Sequence, residues 1–188
     1  MSVDSVILAA GYSSRMGAFK PGLDLGGKPV IIRTIESVAS LADRIILVGG
    51  YNFKELTQLV CDIPKVELIC NTKFEMGMFT SVKIGIAEVS AERFFLLPGD
   101  IPSVKSSTML NMLEHKDKII IPKYHGRKGH PVLFDSSLIS DILAESDESN
   151  LRVFIHKKSP FFIEVEDGGI LIDIDSPLDY EKLRRNYG

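Results

Sequence analysis

LAAGYSSRMGAFK, residues Leu8 to Lys20, takes over from the last two residues of the apolar run Val3 to Ala9 and gathers two glycines, two serines and two cations. The run has the length and composition of a buried strand, and the segment after it reads as a phosphate-binding loop. Gly11 and Gly17 lack a Cβ, so successive backbone N–H groups can turn inward and approach an anion. Arg15 adds a planar fork for phosphate oxygens and Lys20 a point charge. Helical spacing then runs from Pro29 to Leu41, with Ile32, Ile35, Val38 and Ala39 on its apolar face. A loop beyond the carboxyl end of a parallel strand is where open α/β sheets bind ligands, so this stretch decides the expected fold and the expected site together.

Outward from it, the chain alternates. Strands are expected at Arg44 to Val48, Val66 to Cys70, Arg93 to Leu97 and Lys118 to Pro122, with helices at Phe53 to Val60, Gly77 to Val89 and Ser106 to His115. Beyond Pro122 the pattern loosens into a turn from Tyr124 to Gly129, a short strand Pro131 to Phe134, helices Ser137 to Ala144 and Leu151 to Lys157, and a strand Phe161 to Val165. Gly168 and Gly169 mark a turn, and Pro177 opens the last helix. Such alternation specifies a mainly parallel sheet covered on both faces, a three-layer α/β/α, Rossmann-like architecture. No repeat or linker interrupts residues 1–188, which read as one domain.

Composition excludes several classes. A chain of 188 residues, 45% hydrophobic and 25% charged, is long enough to bury a substantial core. Its formal net charge of −3, with no basic patch, argues against general nucleic-acid binding. Asp4 stands where a signal peptide would carry cations, and no apolar run is long enough to span a membrane, so a cytoplasmic protein is expected. Cys61 and Cys70 are too far apart for a C-x-x-C site and read as reduced, partly buried thiols, and the four histidines do not cluster. Gly22 to Lys28 matches G-x-x-x-x-G-K, but Pro29 stands where a P-loop needs Ser or Thr, so a solvated turn before a helix is expected. The Rossmann G-x-G-x-x-G is absent, which removes the main support for a dehydrogenase.

Two further segments carry carboxylates. In FFLLPGDIPSV, Phe94 to Val104, a central-strand run is broken at once by Pro98, Gly99 and Pro102, leaving Asp100 just past a strand end. There it can serve as a turn or helix-capping residue, or reach the phosphate crevice as a hard oxygen ligand for magnesium. In IDIDSPLDY, Ile172 to Tyr180, an extended conformation would point Asp173 and Asp175 to one side. Ser176, Pro177 and Asp179 also make a helix start, which leaves those two carboxylates unexplained.

Taken in order, LAAGYSSRMGAFK, GMFTSVKIG from Gly77 to Gly85, LLPGDIP from Leu96 to Pro102, GRKGHPVLF from Gly126 to Phe134, and DIDSPLDY resemble the molybdenum-cofactor nucleotidyltransferase family across nearly the whole chain. The match is closer to its molybdopterin cytidylyltransferase branch. The resemblance implies the nucleotide-diphospho-sugar transferase fold. It also implies attack by a phosphate monoester oxygen on the α-phosphorus of a nucleoside triphosphate, with pyrophosphate leaving. On these residues Leu8, Ala9, Ala10, Gly11, Ser14, Pro98 and Gly99 would bind nucleotide, with Ser81 facing it. Arg15 and Lys20 would hold the triphosphate, and Asp100 and Asp175 would bind Mg2+. Gly129 and His130 would meet the acceptor, molybdopterin.

LAAG is the pattern of members using CTP, where GTP users carry Gly in place of Ala10, and the Ala10 methyl would narrow the slot beneath the base. Relatives continue after the motif lysine with an apolar KLLL-like run, whereas here Pro21 and Gly22 follow Lys20. Two other readings stay open: transfer to a sugar phosphate or another small phosphate, and a non-catalytic nucleotide-binding partner of a client molybdoenzyme.

Overall fold

The computed structural model describes residues 2–187. The first strand, β1 (Val3–Ala9), lies at the centre of the sheet because almost every residue of VDSVILA is buried. It pairs in parallel with β2 (Arg44–Gly49) on one side and with β4 (Arg93–Pro98) on the other. Beyond β2 lies β3 (Val66–Cys70), also parallel. The chain therefore builds outward through β2 and β3, then returns across β1 to lay down β4. The crevice at the carboxyl ends of β1 and β4 is the topological switch point at which such sheets take ligands.

The far side of the sheet departs from the parallel pattern. Here β7 (Val132–Asp135) runs antiparallel between β4 and β5 (Ile119–Tyr124), while β8 (Phe161–Glu164) pairs with β5 in parallel. The turn expected from Tyr124 to Gly129 is instead a tight hairpin: β5 continues to Tyr124, and β6 (Arg127–Lys128) folds back on it. His125 and Gly126 carry φ of 48° and 74°, the paired left-handed residues that a two-residue hairpin requires.

Side-chain alternation along the strands separates two cores. Ile7, Leu47 and Phe95 pack toward α1 (Val30–Ala39), α2 (Phe53–Val60) and α4 (Ser106–Glu114), meeting Ile31, Ile35, Leu56 and Met109. Their neighbours Val6, Ile46 and Phe94 point the other way, to α3 (Met78–Ala87), α5 (Ile139–Ala144) and α6 (Leu151–Lys157), where they meet Phe79, Val82, Ile142 and Phe154. The sheet is mixed and mainly parallel, and the architecture is the expected three layers. Cys61 and Cys70 are unpaired and exposed rather than partly buried, since one ends α2 and the other ends the edge strand β3. No helix among the described residues is long and apolar enough to cross a membrane.

Two local features place the site. The last helix, α7 (Pro177–Arg184), starts at a capping box in which the Ser176 hydroxyl accepts from the Asp179 N–H and the Asp179 carboxylate accepts from the Ser176 N–H. Leu183 of α7 packs with Ile174, Leu25 and Val30, so the segment carrying Asp175 is drawn back onto the loop after β1. The approach of α3 to the sheet depends on Gly85: a Cβ there would lie 2.5 Å from Val6 Cγ1 and 2.8 Å from Val48 Cγ2. Gly85→Ala should therefore lower stability by about 1–3 kcal/mol through overpacking, despite the better helix propensity of alanine. Urea unfolding checks this, and an unchanged or raised midpoint would show that α3 can lift off the sheet without cost.

Candidate active site

The loop after β1 and the short segment after β4 face each other across the switch point. Leu8 pairs with Pro98, the Gly99 N–H donates to the Leu8 carbonyl at 2.8 Å, and the buried Thr34 hydroxyl of α1 lies 3.0 Å from the Gly99 carbonyl. The end of β4 is thus pinned to β1 and to α1, which fixes where Asp100 emerges. Between the two loops lies a cavity of about 320 Å3. Leu8, Ala9, Gly11, Ser14, Arg15, Lys20, Pro98, Gly99, Asp100 and Asp175 all line it. At Gly11 a Cβ would meet nothing within 4 Å, so the backbone there borders open space that an anion can enter. The loop turns at Ser13 and Gly17, with φ of 54° and 64°.

Four charges from three parts of the chain meet in this cavity. Lys20 Nζ lies 2.5 Å from Asp100 Oδ2 and 3.6 Å from Asp175 Oδ1, and Arg15 donates to Asp175 Oδ2 at 2.8 Å. The Pro21 and Gly22 that follow Lys20 form a short 3-10 turn, closed by the Leu23 N–H on the Lys20 carbonyl at 3.1 Å. This turn leaves the lysine side chain only 14% exposed between the two carboxylates. Arg15 is 73% exposed, and an exposed pair of this kind contributes about 0–1 kcal/mol, so its guanidinium can leave Asp175 for a phosphate at little cost.

The two carboxylates converge on one cationic point, and hard anionic oxygens suit a small dication. Among the described residues no group of three or more His, Cys, Asp or Glu is placed to hold a metal. A dication here would draw two ligands from the protein and the rest from phosphate and water, the usual habit of Mg2+. Only one of the paired carboxylates in IDID lines the cavity: Asp175 does, Asp173 is exposed, and Ile174 between them is buried.

Other expected positions fall elsewhere. Ser81 does not face the cavity; it is buried, and its hydroxyl accepts from the Asn71 amide at 2.8 Å. Ala10 is buried outside the lining, and its Cβ would lie 2.9 Å from a Cβ built on Gly50, so its methyl packs toward the neighbouring loop. Gly129 is held under the turn at Ile170, where a Cβ would come within 2.5 Å of the Ile170 carbonyl oxygen. The G-x-x-x-x-G-K match is the solvated turn expected of it: Leu25 N–H donates to the Lys28 carbonyl, Lys28 pairs with Glu36, and Pro29 caps α1 rather than opening it.

Residues that the sequence did not single out also shape the site. Tyr12, Ser13, Met16 and Met78 line the cavity. Buried Asn71 donates to Thr80 and Ser81 and accepts from the Lys73 N–H, so it braces the loop leading into α3. A polar residue just past a strand end was the only signal for Asn71. Tyr12, by contrast, stood inside the quoted loop.

The chain belongs to the MobA-like NTP transferase domain family, whose model matches residues 5–161. Within that class it is similar to the molybdenum cofactor cytidylyltransferase of Escherichia coli, at 29% identity over 99% of this chain and 97% of that protein. It is also similar to a probable molybdenum cofactor guanylyltransferase of Natranaerobius thermophilus, at 33% identity over 66% of this chain and 62% of that one. A nucleotidyl transferase structure from Methanothermobacter superposes with a TM-score of 0.85 at 22% identity, covering 99% of this chain and 97% of the other. The fold is that of the nucleotide-diphospho-sugar transferases, and the activity class is nucleotidyl transfer.

His130 lies close enough to Asp100 and Asp173 for both to act on it. Its peptide N–H donates to the Ile170 carbonyl at 3.0 Å, while its Nδ1 is buried without a partner. Burial pushes the imidazole pKa below its ordinary value, and the two carboxylates pull it upward without prevailing. The folded state therefore favours neutral His130. Its contribution to stability is complete above the unfolded pKa near 6.5 and is lost as pH falls below that value toward the folded pKa. Wild-type urea midpoints should drop between about pH 7.5 and about pH 5.5 by more than those of His130→Gln; equal drops would remove His130 from the acid sensitivity.

Proposed function

We propose that this protein transfers a cytidylyl group from CTP to the phosphate monoester of molybdopterin and releases pyrophosphate. The observation that carries this reading is the cluster Arg15, Lys20, Asp100 and Asp175 at the switch point of a nucleotidyltransferase fold. Similarity to a cytidylyltransferase over the full chain, together with the LAAG form of the loop, supports CTP. The buried position of the Ala10 methyl means that any effect on the base is exerted through the packing of the loop on Gly50.

The residues divide the work between two charge states of the cluster. At rest each cation neutralises a carboxylate. An entering triphosphate offers Arg15 and Lys20 stronger partners, since charge-assisted bonds to phosphate, bidentate for the guanidinium, are short and directional. Their withdrawal exposes Asp100 and Asp175 together. Mg2+, when bound there, would neutralise charge on the phosphates and orient them. Backbone N–H groups around Gly11 and Ser14 would then cradle phosphate oxygens, and Lys20 and Arg15 would stabilise the departing pyrophosphate. The nucleophile is already an anion near neutral pH, so no covalent intermediate or strong base is needed and positioning dominates. The acceptor phosphate would approach beside Asp100, on the side where His130 feels that carboxylate.

Pyrophosphate release, measured over CTP, GTP, ATP and UTP with molybdopterin and with sugar 1-phosphates, tests the reading. CTP with molybdopterin should be the preferred pair. Preference for a sugar phosphate would move the chain to another branch of the fold, and absence of release with every pair would leave a binding protein. With the preferred pair, Asp100→Asn and Asp175→Asn should each reduce turnover by about 100-fold or more across a magnesium titration, because each removes half of the carboxylate pair. Asp173→Asn should only weaken it. The reverse order of Asp173 and Asp175 would place the ligand two residues from where the geometry does.

A further inference from the structure

The cavity is chemically divided across β1. Asp100, after β4, lies on one side together with the ion pairs. On the other side Tyr12 reaches toward the loops after β2 and β3, its ring centroid 5.0 Å from that of Tyr51 and 5.2 Å from that of Phe74. The Tyr12 hydroxyl donates to Glu75 Oε1 at 2.7 Å. One phenol thus joins three loops at the carboxyl ends of three adjacent strands.

This aromatic corner is left open. Tyr12 and Met78 line the cavity yet remain 47% and 66% exposed, and Tyr51, against the Tyr12 ring, and Met76, two residues before Met78, are also exposed. These are four of the nine large hydrophobic side chains left exposed among the described residues. Single exposed hydrophobics are ordinary, but a group of them at one corner of a cavity that also holds charged side chains marks a binding surface. A structural role alone would be served by burying the rings against one another. Here the cluster holds Tyr12 by its edge, its hydroxyl and its neighbours while the ring still borders the cavity.

We propose that Tyr12 is the platform on which the flat heteroaromatic ring of the nucleotide stacks, with Tyr51, Phe74 and Glu75 fixing the orientation of its ring. The inference rests on the nucleotidyl-transfer reading and adds the side chain against which the base lies. A ring already held in place loses little freedom when a base arrives, so more of the stacking energy appears as affinity. Every base has a π-face, so the platform supplies affinity and orientation, and the identity of the base must be read at its edge. Tyr12 would bind the base and take no part in the bond changes at phosphorus.

The test compares binding of CTP and of inorganic tripolyphosphate, both with magnesium, to the wild-type chain, Tyr12→Ala and Tyr12→Phe. Tripolyphosphate has the charge but no ring. Tyr12→Ala should weaken CTP about tenfold or more and leave tripolyphosphate within about twofold, while Tyr12→Phe, which keeps the ring, should recover most of the CTP affinity. The chain has no tryptophan and only five tyrosines, so quenching of tyrosine emission by CTP should be visible in the wild type and diminished in Tyr12→Phe. In turnover, Tyr12→Ala should raise the KM for CTP with a much smaller change in kcat. Equal weakening of both ligands, or no weakening of CTP, would overturn the platform while leaving nucleotidyl transfer standing. Binding of tripolyphosphate but of no nucleoside triphosphate by the wild type would overturn the nucleotidyl-transfer reading itself.

Discussion

A single ammonium group shared by two carboxylates ties the site together. Lys20 comes from the loop after the first strand, Asp100 from the end of the fourth, and Asp175 from the segment before the last helix. None of these is a neighbour of another in the chain. Their meeting requires β1 and β4 to lie side by side, which the buried apolar strands and the return through α3 enforce, and it requires α7 to hold residues 172–176 against the first loop. Loss of either support would separate the charges.

The fold was largely legible because its signals are local. Apolar runs bounded by Gly, Pro and polar residues gave β1 to β4 and the helices between them nearly at their observed limits, and Ser176 before Pro177 gave the last helix its start. Legibility declined beyond Pro122. There β7 inserts antiparallel between β4 and β5, a pairing decided by contacts between distant segments that no window of residues contains. The hairpin at His125 and Gly126 escaped for a different reason: a non-glycine residue at positive φ leaves little trace in composition.

The site divides in the same way. Residues within a motif at the end of a strand, such as Gly11, Arg15, Lys20 and Asp100, line the cavity because the strand end dictates where they emerge. Ser81 did not follow its motif. Met78 and Ser81 share a helical face, but only the first turn of α3 projects into the crevice; one turn later the helix already lies over the sheet, and the hydroxyl meets buried Asn71. Gly129 likewise serves the packing of the turn at Ile170. Tyr12 was visible as a residue, but its reach toward Tyr51 and Phe74 depends on three loops meeting, which only the assembled sheet shows.

The pairing of Arg15 and Lys20 with Asp175 and Asp100 also bears on how substrate arrives. Two positive and two negative charges within a few ångströms of each other cast almost no field beyond the mouth of the cavity, and the chain as a whole carries a formal charge of −3. A free polyanion diffusing nearby is not drawn in; it is weakly repelled by the molecule at large. Encounter therefore favours a nucleotide that travels with its own counter-ion and is already partly neutral.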